Sequence, residues 1–76
     1  MTIIKCTSTC TLKGHKFAAL QNGKVCYCGD GGYKQYGEAN NCDSFCIGNS
    51  HETCGGELTN QVYQLPIGGK CNNVTR

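Results

Sequence analysis

The sequence predicts a small disulfide-rich α+β fold, with one main helix joined by two disulfides to an antiparallel β-sheet, a second short helical turn and long loops. Two cysteine spacings indicate the joint between helix and sheet. Cys6 and Cys10 are four residues apart, a rise of about 6 Å on a helix. Cys26 and Cys28 are two residues apart, about 6.6 Å on a strand, with both side chains on one face. A helix can therefore lie across this strand and form both disulfides, in a parallel or a crossed pairing.

Length and cysteine content indicate the compartment. The chain has 76 residues, which suits one domain (1–76) whose hydrophobic core alone would be marginal. Its eight cysteines allow four disulfides, each contributing about 2–4 kcal/mol, and disulfides persist outside the cytosol. We therefore expect a secreted, extracellular protein. Residues 1–12 lack the apolar run of a signal peptide, as expected of a mature protein or of one module of a larger one.

Charge and hydropathy argue against two classes of partner. The formal net charge of +2 is too small to indicate nucleic acid, and no stretch approaches the roughly 20 apolar residues of a membrane span. The charges are nevertheless unevenly spread, because four lysines precede the first acidic residue. This pattern is typical of two differently charged solvated faces, and the alternative is a basic face for sulfated sugars. The four residues are Lys5, Lys13, Lys16 and Lys24.

The first element is predicted as a helix at about residues 3–13. Thr2 can accept a hydrogen bond at its N-terminus, and Gly14 is suited to end it. Ile3 shares the side of the helix that carries the two cysteines, and we expect it to be buried.

A β-hairpin is predicted next, with strands at residues 16–20 and 24–28. The Asn22-Gly23 dipeptide between them is a strong signal for a tight hairpin turn. Strand alternation places the two cysteines of the second strand on the face that meets the helix and Tyr27 on the opposite face.

The middle of the chain is predicted as a loop and a helical turn. Residues 29–37 form a glycine-rich loop that carries two tyrosines. Residues 40–46 are predicted as the second short helical turn, because two cysteines are again four apart there. We expect Phe45 to join Phe17 and Leu20 in the core.

The last third is predicted as a closed loop, a strand and a tail. Cys46 and Cys54 flank a small loop, and residues 61–65 read as a strand that Pro66 stops. The tail contains Cys71 and an Asn73-Val74-Thr75 glycosylation acceptor.

Five motifs carry a family resemblance. They are Cys-Thr-Ser-Thr-Cys at 6–10, the segment 17–30, Cys-Asp-Ser-Phe-Cys at 42–46, Glu-Thr-Cys-Gly-Gly at 52–56 and Val-Tyr at 62–63. Together they resemble a WSC domain, the small cysteine-rich module of fungal cell-wall stress sensors, Kremen receptors, polycystin and secreted fungal enzymes. The resemblance covers roughly residues 1–65, which leaves 66–76 as a C-terminal tail.

The resemblance implies a set of disulfides and shows one departure. It implies the pairs Cys6–Cys26, Cys10–Cys28 and Cys46–Cys54. WSC domains normally begin with an upstream strand whose cysteine pairs with the equivalent of Cys42, and this sequence starts at the helix instead. Our hypothesis is that Cys71 pairs with Cys42, so that the tail takes the position of that strand.

The resemblance also implies a secreted, lectin-like module that binds a glycan or polysaccharide. Sugar rings stack on flat aromatic faces, and amides and carboxylates bind their hydroxyl groups. The alternative for each tyrosine is a structural role: Tyr27 in a second core layer, Tyr33 and Tyr36 as loop anchors, and Tyr63 in the core. The predicted ligand-binding residues are Tyr27, Asp30, Tyr33, Tyr36, Asn40 and Asn41.

Two other classes stay open, and catalysis is not expected. A protein–protein interaction module without sugar affinity would have a protein receptor as its partner. A defensin-like or toxin-like cysteine-stabilised αβ peptide shares the two cysteine spacings. That scaffold carries a third cysteine on the strand that corresponds to residues 16–20, where this chain has none, and it normally ends near the Cys-x-Cys, whereas this chain continues for nearly fifty residues. We expect no enzyme, cofactor or metal site, since paired cysteines supply no thiolate and His15 and His51 have no evident catalytic partner.

Overall fold

The computed structural model describes residues 1–32, 35–64 and 67–74. These residues contain one α-helix and six β-strands, all of the strand pairs being antiparallel. The elements in chain order are α1 (Ile3–Leu12), β1 (Phe17–Gln21), β2 (Val25–Gly29), β3 (Phe45–Cys46), β4 (Asn49–Thr53), β5 (Thr59–Gln64) and β6 (Ile67–Asn73). Within the described ranges, no helix is long and apolar enough to traverse a lipid bilayer.

Helix α1 begins and ends close to the predicted residues. The Thr2 side chain accepts a hydrogen bond from the backbone N–H of Lys5 at 3.1 Å, which satisfies one of the free donors of the first turn. At the other end Gly14 has a φ of +79°, a conformation that glycine adopts without strain. Ile3 is half-buried against the core, so it is less enclosed than the sequence predicts.

The main sheet has the strand order β2-β1-β5-β6. The predicted β1–β2 hairpin is confirmed: Asn22 and Gly23 both have positive φ values, +55° and +76°, and the Lys24 N–H donates to the Gln21 carbonyl at 3.2 Å. These φ values are those that a tight primed turn requires, which explains the Asn-Gly sequence. The tail after Pro66 forms β6, which pairs with β5.

The second helical turn predicted at residues 40–46 is wrong. This region is not helical, and its last two residues form β3, which pairs with β4 in a separate two-stranded sheet. The backbone bonds across the hairpin instead: the Ser44 N–H donates to Gly55 and the Cys54 N–H donates to Ser44, both at 2.8 Å. Hydrogen bonds to residues distant in sequence thus replace the local bonds that a helix would need.

The prediction that Phe45 lies in the core is also wrong. Its side chain is 64% exposed, because neighbouring strand residues point to opposite faces and Cys46 takes the inward position. Leu20 is fully buried as predicted, whereas Phe17 is half-buried. The core cluster between α1 and the sheets consists of Cys6, Cys10, Ala18, Leu20, Cys46 and Cys54.

Disulfides supply much of this small core. Two of them join α1 to β2, one closes the β3–β4 hairpin, and one ties the segment before β3 to β6. They coincide with the pairs that the resemblance implies and with the pair proposed for the tail. The pairs, with Cα–Cα distances, are Cys6–Cys26 (5.6 Å), Cys10–Cys28 (5.3 Å), Cys46–Cys54 (4.9 Å) and Cys42–Cys71 (5.8 Å).

Candidate functional site

The two faces of the main sheet carry different residues. Ala18 and Leu20 of β1 pack in the core beneath α1. Phe17 and Ala19 lie on the opposite face, because successive strand residues alternate. The register places Tyr27 of β2 directly opposite Ala19, so that a tyrosine ring stands on this outer face of the sheet.

Residues 36–39, in the segment that follows β2, are hydrogen-bonded to the outer edge of β6. The Ala39 N–H donates to the Cys71 carbonyl at 2.9 Å, and the Asn73 N–H donates to the Gly37 carbonyl at 3.0 Å. The side-chain nitrogen of Asn73 also donates to the carbonyl oxygens of the residues on either side of Gly37, at 3.4 Å and 3.2 Å. These bonds hold Tyr36 beside the outer face of the sheet.

An open cavity of about 260 Å³ lies between this segment and the outer face, and we refer to it as the tyrosine cavity. Its lining combines aromatic rings with side-chain amides, and its described lining residues carry no formal charge. Tyr27 and Tyr36 are 49% and 39% exposed, so their rings are open to a ligand. The aromatic members are Phe17, Tyr27 and Tyr36, and the amide members are Gln35, Asn60 and Asn73.

Asn60 has an unsatisfied acceptor in the wall of the tyrosine cavity. Its side-chain oxygen is buried and has no hydrogen-bond donor among the described residues. An unpaired buried acceptor costs about 1–3 kcal/mol. Ring faces together with side-chain amides are suited to a molecule that is apolar on one side and rich in hydroxyls around its edge.

The structure brings two of the predicted ligand-binding residues together. Tyr27 and Tyr36 both line the tyrosine cavity, although they are nine residues apart in sequence and come from β2 and the following segment. Tyr33 lies outside the described residues. The alternative core role for Tyr63 fits its position, since its half-buried ring packs against the core cluster.

The three predicted polar residues lie outside the described lining of this cavity. The Asp30 carboxylate accepts a hydrogen bond from the Lys16 N–H at 3.1 Å and lies 3.4 Å from the His15 ring, so it fastens the end of β2 to the start of β1. Asn40 and Asn41 are exposed on the chain leading to Cys42.

Sequence reasoning missed the amides of the cavity. Asn60 falls one residue before the predicted strand, whereas the structure begins β5 at Thr59. Asn73 was assigned only as a glycosylation acceptor, because the pairing of β6 with β5 cannot be read from the chain. Of the three amides, Gln35 is the one that the sequence could have indicated, because it lies between the two loop tyrosines.

A larger groove of about 690 Å³ follows the exposed side of α1. Ile4 and Leu12 project from it into solvent. The hydroxyls of Thr7 and Thr11 donate to backbone carbonyls within the helix, at 3.1 Å and 2.8 Å, so they offer a ligand only their acceptor lone pairs. The groove is therefore mainly apolar and fits a carbohydrate less well than the tyrosine cavity does.

Three cysteine sulfur atoms lie as close together as metal ligands do, but all three are oxidised in disulfides. The sulfur atoms of Cys6, Cys10 and Cys26 lie within 4.8 Å of one another. Each of them is part of a disulfide, and a metal ligand must be a thiolate. This cluster is the double link between α1 and β2.

Comparison with known proteins assigns the chain to a family. A family model described as the WSC domain matches residues 1–56. The chain is 39% identical to Protein SLG1 of Saccharomyces cerevisiae over 70 residues, which is 91% of this chain and 18% of that protein. It is 40% identical to human Kremen protein 1 over 78 residues, 99% of this chain and 16% of that protein. It is 32% identical to Xylosyltransferase oxt of Drosophila melanogaster over 68 residues, 83% of this chain and 7% of that protein.

The chain belongs to the WSC domain family. It spans less than a fifth of the length of these relatives. The match therefore concerns one module that the relatives share, whereas the rest of each relative has no counterpart in this chain.

Proposed function

We propose that this WSC domain binds a neutral carbohydrate in the tyrosine cavity. The observation that carries the proposal is that the half-exposed rings of Tyr27 and Tyr36 share one concave surface with the amide of Asn60. A pyranose ring presents C–H groups on its faces and hydroxyls at its edge. Its face would lie against a tyrosine ring, and its hydroxyls would bond to the amides.

The uncharged lining favours a neutral sugar over an acidic one. A sulfate or carboxylate entering the cavity would lose solvation and meet no cationic side chain among the described lining residues. Lysines that could bind a sulfated sugar lie outside the described lining of the cavity: Lys13 and Lys24 are exposed in the turns after α1 and β1. A sulfated ligand would therefore bind elsewhere on the domain.

The proposed setting is extracellular. Eight cysteines in four disulfides fit an oxidising compartment. A cavity of about 260 Å³ has room for about one sugar unit, so a single domain would bind weakly. Several copies along one polysaccharide would raise the overall affinity without any new contact.

The test is a glycan array combined with a pull-down on insoluble β-glucan, xylan and chitin. The variant is Tyr27→Ala/Tyr36→Ala, which removes both rings from the cavity. The control is Phe45→Ala/Ile47→Ala, which removes two exposed apolar side chains that lie on the β3–β4 hairpin, away from the cavity.

The proposal expects binding to a neutral glycan that the tyrosine variant loses and the hairpin variant keeps. Unchanged binding by the tyrosine variant would contradict the proposed location. Binding only to sulfated glycans, abolished by salt, would move the site to the lysines.

A protein partner is the second candidate, and one observation favours it. Phe45 and Ile47 on the β3–β4 hairpin are 64% and 72% exposed, and neighbouring apolar side chains of this size are common in protein interfaces. In the pull-down, this candidate is supported if no glycan is retained and the hairpin variant alone loses capture of a defined receptor ectodomain.

A further inference from the structure

Asn73 has two properties that conflict. It is the acceptor residue of the Asn73-Val74-Thr75 glycosylation sequence, and its side chain also belongs to the wall of the tyrosine cavity. The side chain is half-buried rather than projecting into solvent. Asn73 is the last residue of β6, at the point where residues 36–39 are hydrogen-bonded to that strand.

Both hydrogens of the Asn73 side-chain amide are used in the folded domain. The nitrogen Nδ2 donates to the carbonyl oxygens of Tyr36 and Glu38, at 3.4 Å and 3.2 Å. An asparagine amide has two N–H groups, so this arrangement uses its full donor capacity. Together with the backbone bond from Asn73 to Gly37, it fixes the segment that carries the Tyr36 ring.

Glycosylation would change this nitrogen chemically. In the transfer, Nδ2 bonds to C1 of an oligosaccharide carried on a lipid pyrophosphate, the C1–O bond to the pyrophosphate breaks, and one Nδ2 proton is lost. The modified nitrogen keeps one N–H and can satisfy only one of the two carbonyls. The attached sugar would begin within the lining of the cavity, next to Tyr36.

We propose that Asn73 is a modification site whose glycosylation closes the tyrosine cavity, because the attached sugar occupies the space of the ligand. This inference rests on the proposed carbohydrate-binding function for its effect on binding. Its loosening of residues 36–38 is independent of that function, because it follows from the loss of one of the two hydrogen bonds that Asn73 Nδ2 donates to the Tyr36 and Glu38 carbonyls.

The experiment produces the protein in a eukaryotic secretory host and separates glycosylated from unmodified molecules by mass. Thr75→Ala removes the acceptor sequence and keeps the Asn73 amide. Lys24→Thr in that background creates an acceptor at Asn22, an exposed residue of the β1–β2 turn outside the described lining of the cavity. It is the matched control for carrying a glycan of the same size.

Two readouts separate the inference from the proposed function. The first is amide hydrogen exchange at Ala39 and Asn73, whose backbone N–H groups form the hydrogen bonds between residues 37–39 and β6. Glycosylation at Asn73 should speed this exchange by about tenfold, the equivalent of one hydrogen bond. The second is retention on the neutral glycan identified by the array, which should fall by at least about tenfold.

The Thr75→Ala variant and its Asn22-glycosylated derivative should both behave as the unmodified protein does. Trimming the glycan on Asn73 to a single sugar should leave the cavity closed. Equal retention of the glycosylated and unmodified fractions on a glycan that the unmodified protein binds would overturn the inference, and so would equal exchange or an unmodified Asn73 in every secreted molecule. If no glycan is bound by any fraction, faster exchange still supports the change at Asn73, and the failure belongs to the proposed function.

Discussion

Thr53 and Gln61 exchange two hydrogen bonds: the Thr53 hydroxyl donates to Gln61 Oε1 at 2.9 Å, and Gln61 Nε2 donates to the Thr53 carbonyl at 2.8 Å. The pair joins β4 of the small sheet to β5 of the main sheet. Gln61 also accepts from the Gly55 N–H at 3.3 Å and donates to the Tyr63 hydroxyl at 3.0 Å. The amide is nearly buried and fully bonded, so it fixes how the two sheets meet.

Replacing Gln61 with leucine should destabilise the domain. The Gln61→Leu variant keeps a side chain of similar size but leaves the Gly55 N–H and the Thr53 carbonyl without this partner. We expect a loss of at least about 2 kcal/mol in the free energy of unfolding, since each unsatisfied buried group costs about 1–3 kcal/mol. Denaturant unfolding with the disulfides intact measures it. Gln64→Leu, on an exposed residue of the same strand, is the control, and equal midpoints for the two variants would contradict the account.

Gly55 should not tolerate a side chain. Its φ is +79°, and a Cβ atom there would lie 2.8 Å from the Gln21 Cα and closer still to the Leu20 carbonyl oxygen. Gly14 has the same φ, but a Cβ there would meet nothing within 4 Å. Gly14→Ala should therefore cost only the strain of the left-handed conformation, about 1–2 kcal/mol.

Gly55→Ala should cost that strain and a further amount of about 1–3 kcal/mol for the backbone clash. Thermal unfolding of the two alanine variants side by side makes the comparison. If both variants melt at the same temperature, Gly55 is not packed as closely against β1 as described.

The disulfide between Cys42 and Cys71 can be mapped by proteolysis of the unreduced protein. Cleavage after Lys34 and Lys70 and before Asp43 separates the two cysteines from Cys46 and Cys54. The expected product is peptide 35–42 linked to peptide 71–76, with peptide 43–70 containing its own internal bond. Mass spectrometry that finds 71–76 linked to 43–70 would exclude the pairing of Cys42 with Cys71.

The contributions of Leu20 and Phe45 to stability should differ sharply. Leu20 is fully buried, so Leu20→Ala should cost about 2–5 kcal/mol. Phe45 is largely exposed, so Phe45→Ala should change the free energy of unfolding by no more than about 0.5 kcal/mol. Denaturant unfolding of both variants tests whether Phe45 lies outside the core. A loss of stability at Phe45 as large as that at Leu20 would show that Phe45 is a core residue.

Local patterns in the sequence predicted the first half of the fold. The helix signal at Thr2, the Asn22-Gly23 turn and the alternation around Tyr27 depend on neighbouring residues, which a sequence displays directly. The same four-residue cysteine spacing misled us at Cys42 and Cys46. There the Ser44 backbone bonds to Gly55, and the two cysteines pair with different partners, Cys42 with Cys71 and Cys46 with Cys54, which the spacing does not encode.

The candidate site was predictable only in part, for a similar reason. Tyr27 and Tyr36 were identifiable because exposed aromatics in a strand and a loop are recognisable from pattern. Asn60 and Asn73 join them through the register of β5 with β6, which is fixed by tertiary pairing. Asp30 has the right chemistry for a sugar but is held by His15 and Lys16.

The measurement that tests the central claim most directly is an NMR titration with the neutral oligosaccharide selected by the glycan array. The domain contains side-chain amides both in the cavity and elsewhere, and their N–H resonances report binding separately. We predict that the amide resonances of Gln35, Asn60 and Asn73 shift with the backbone resonance of Tyr36, whereas those of Asn49 stay in place. Shifts confined to Ile4 and Leu12 along α1, or to Phe45 on the hairpin, would contradict the claim that the tyrosine cavity is the carbohydrate site.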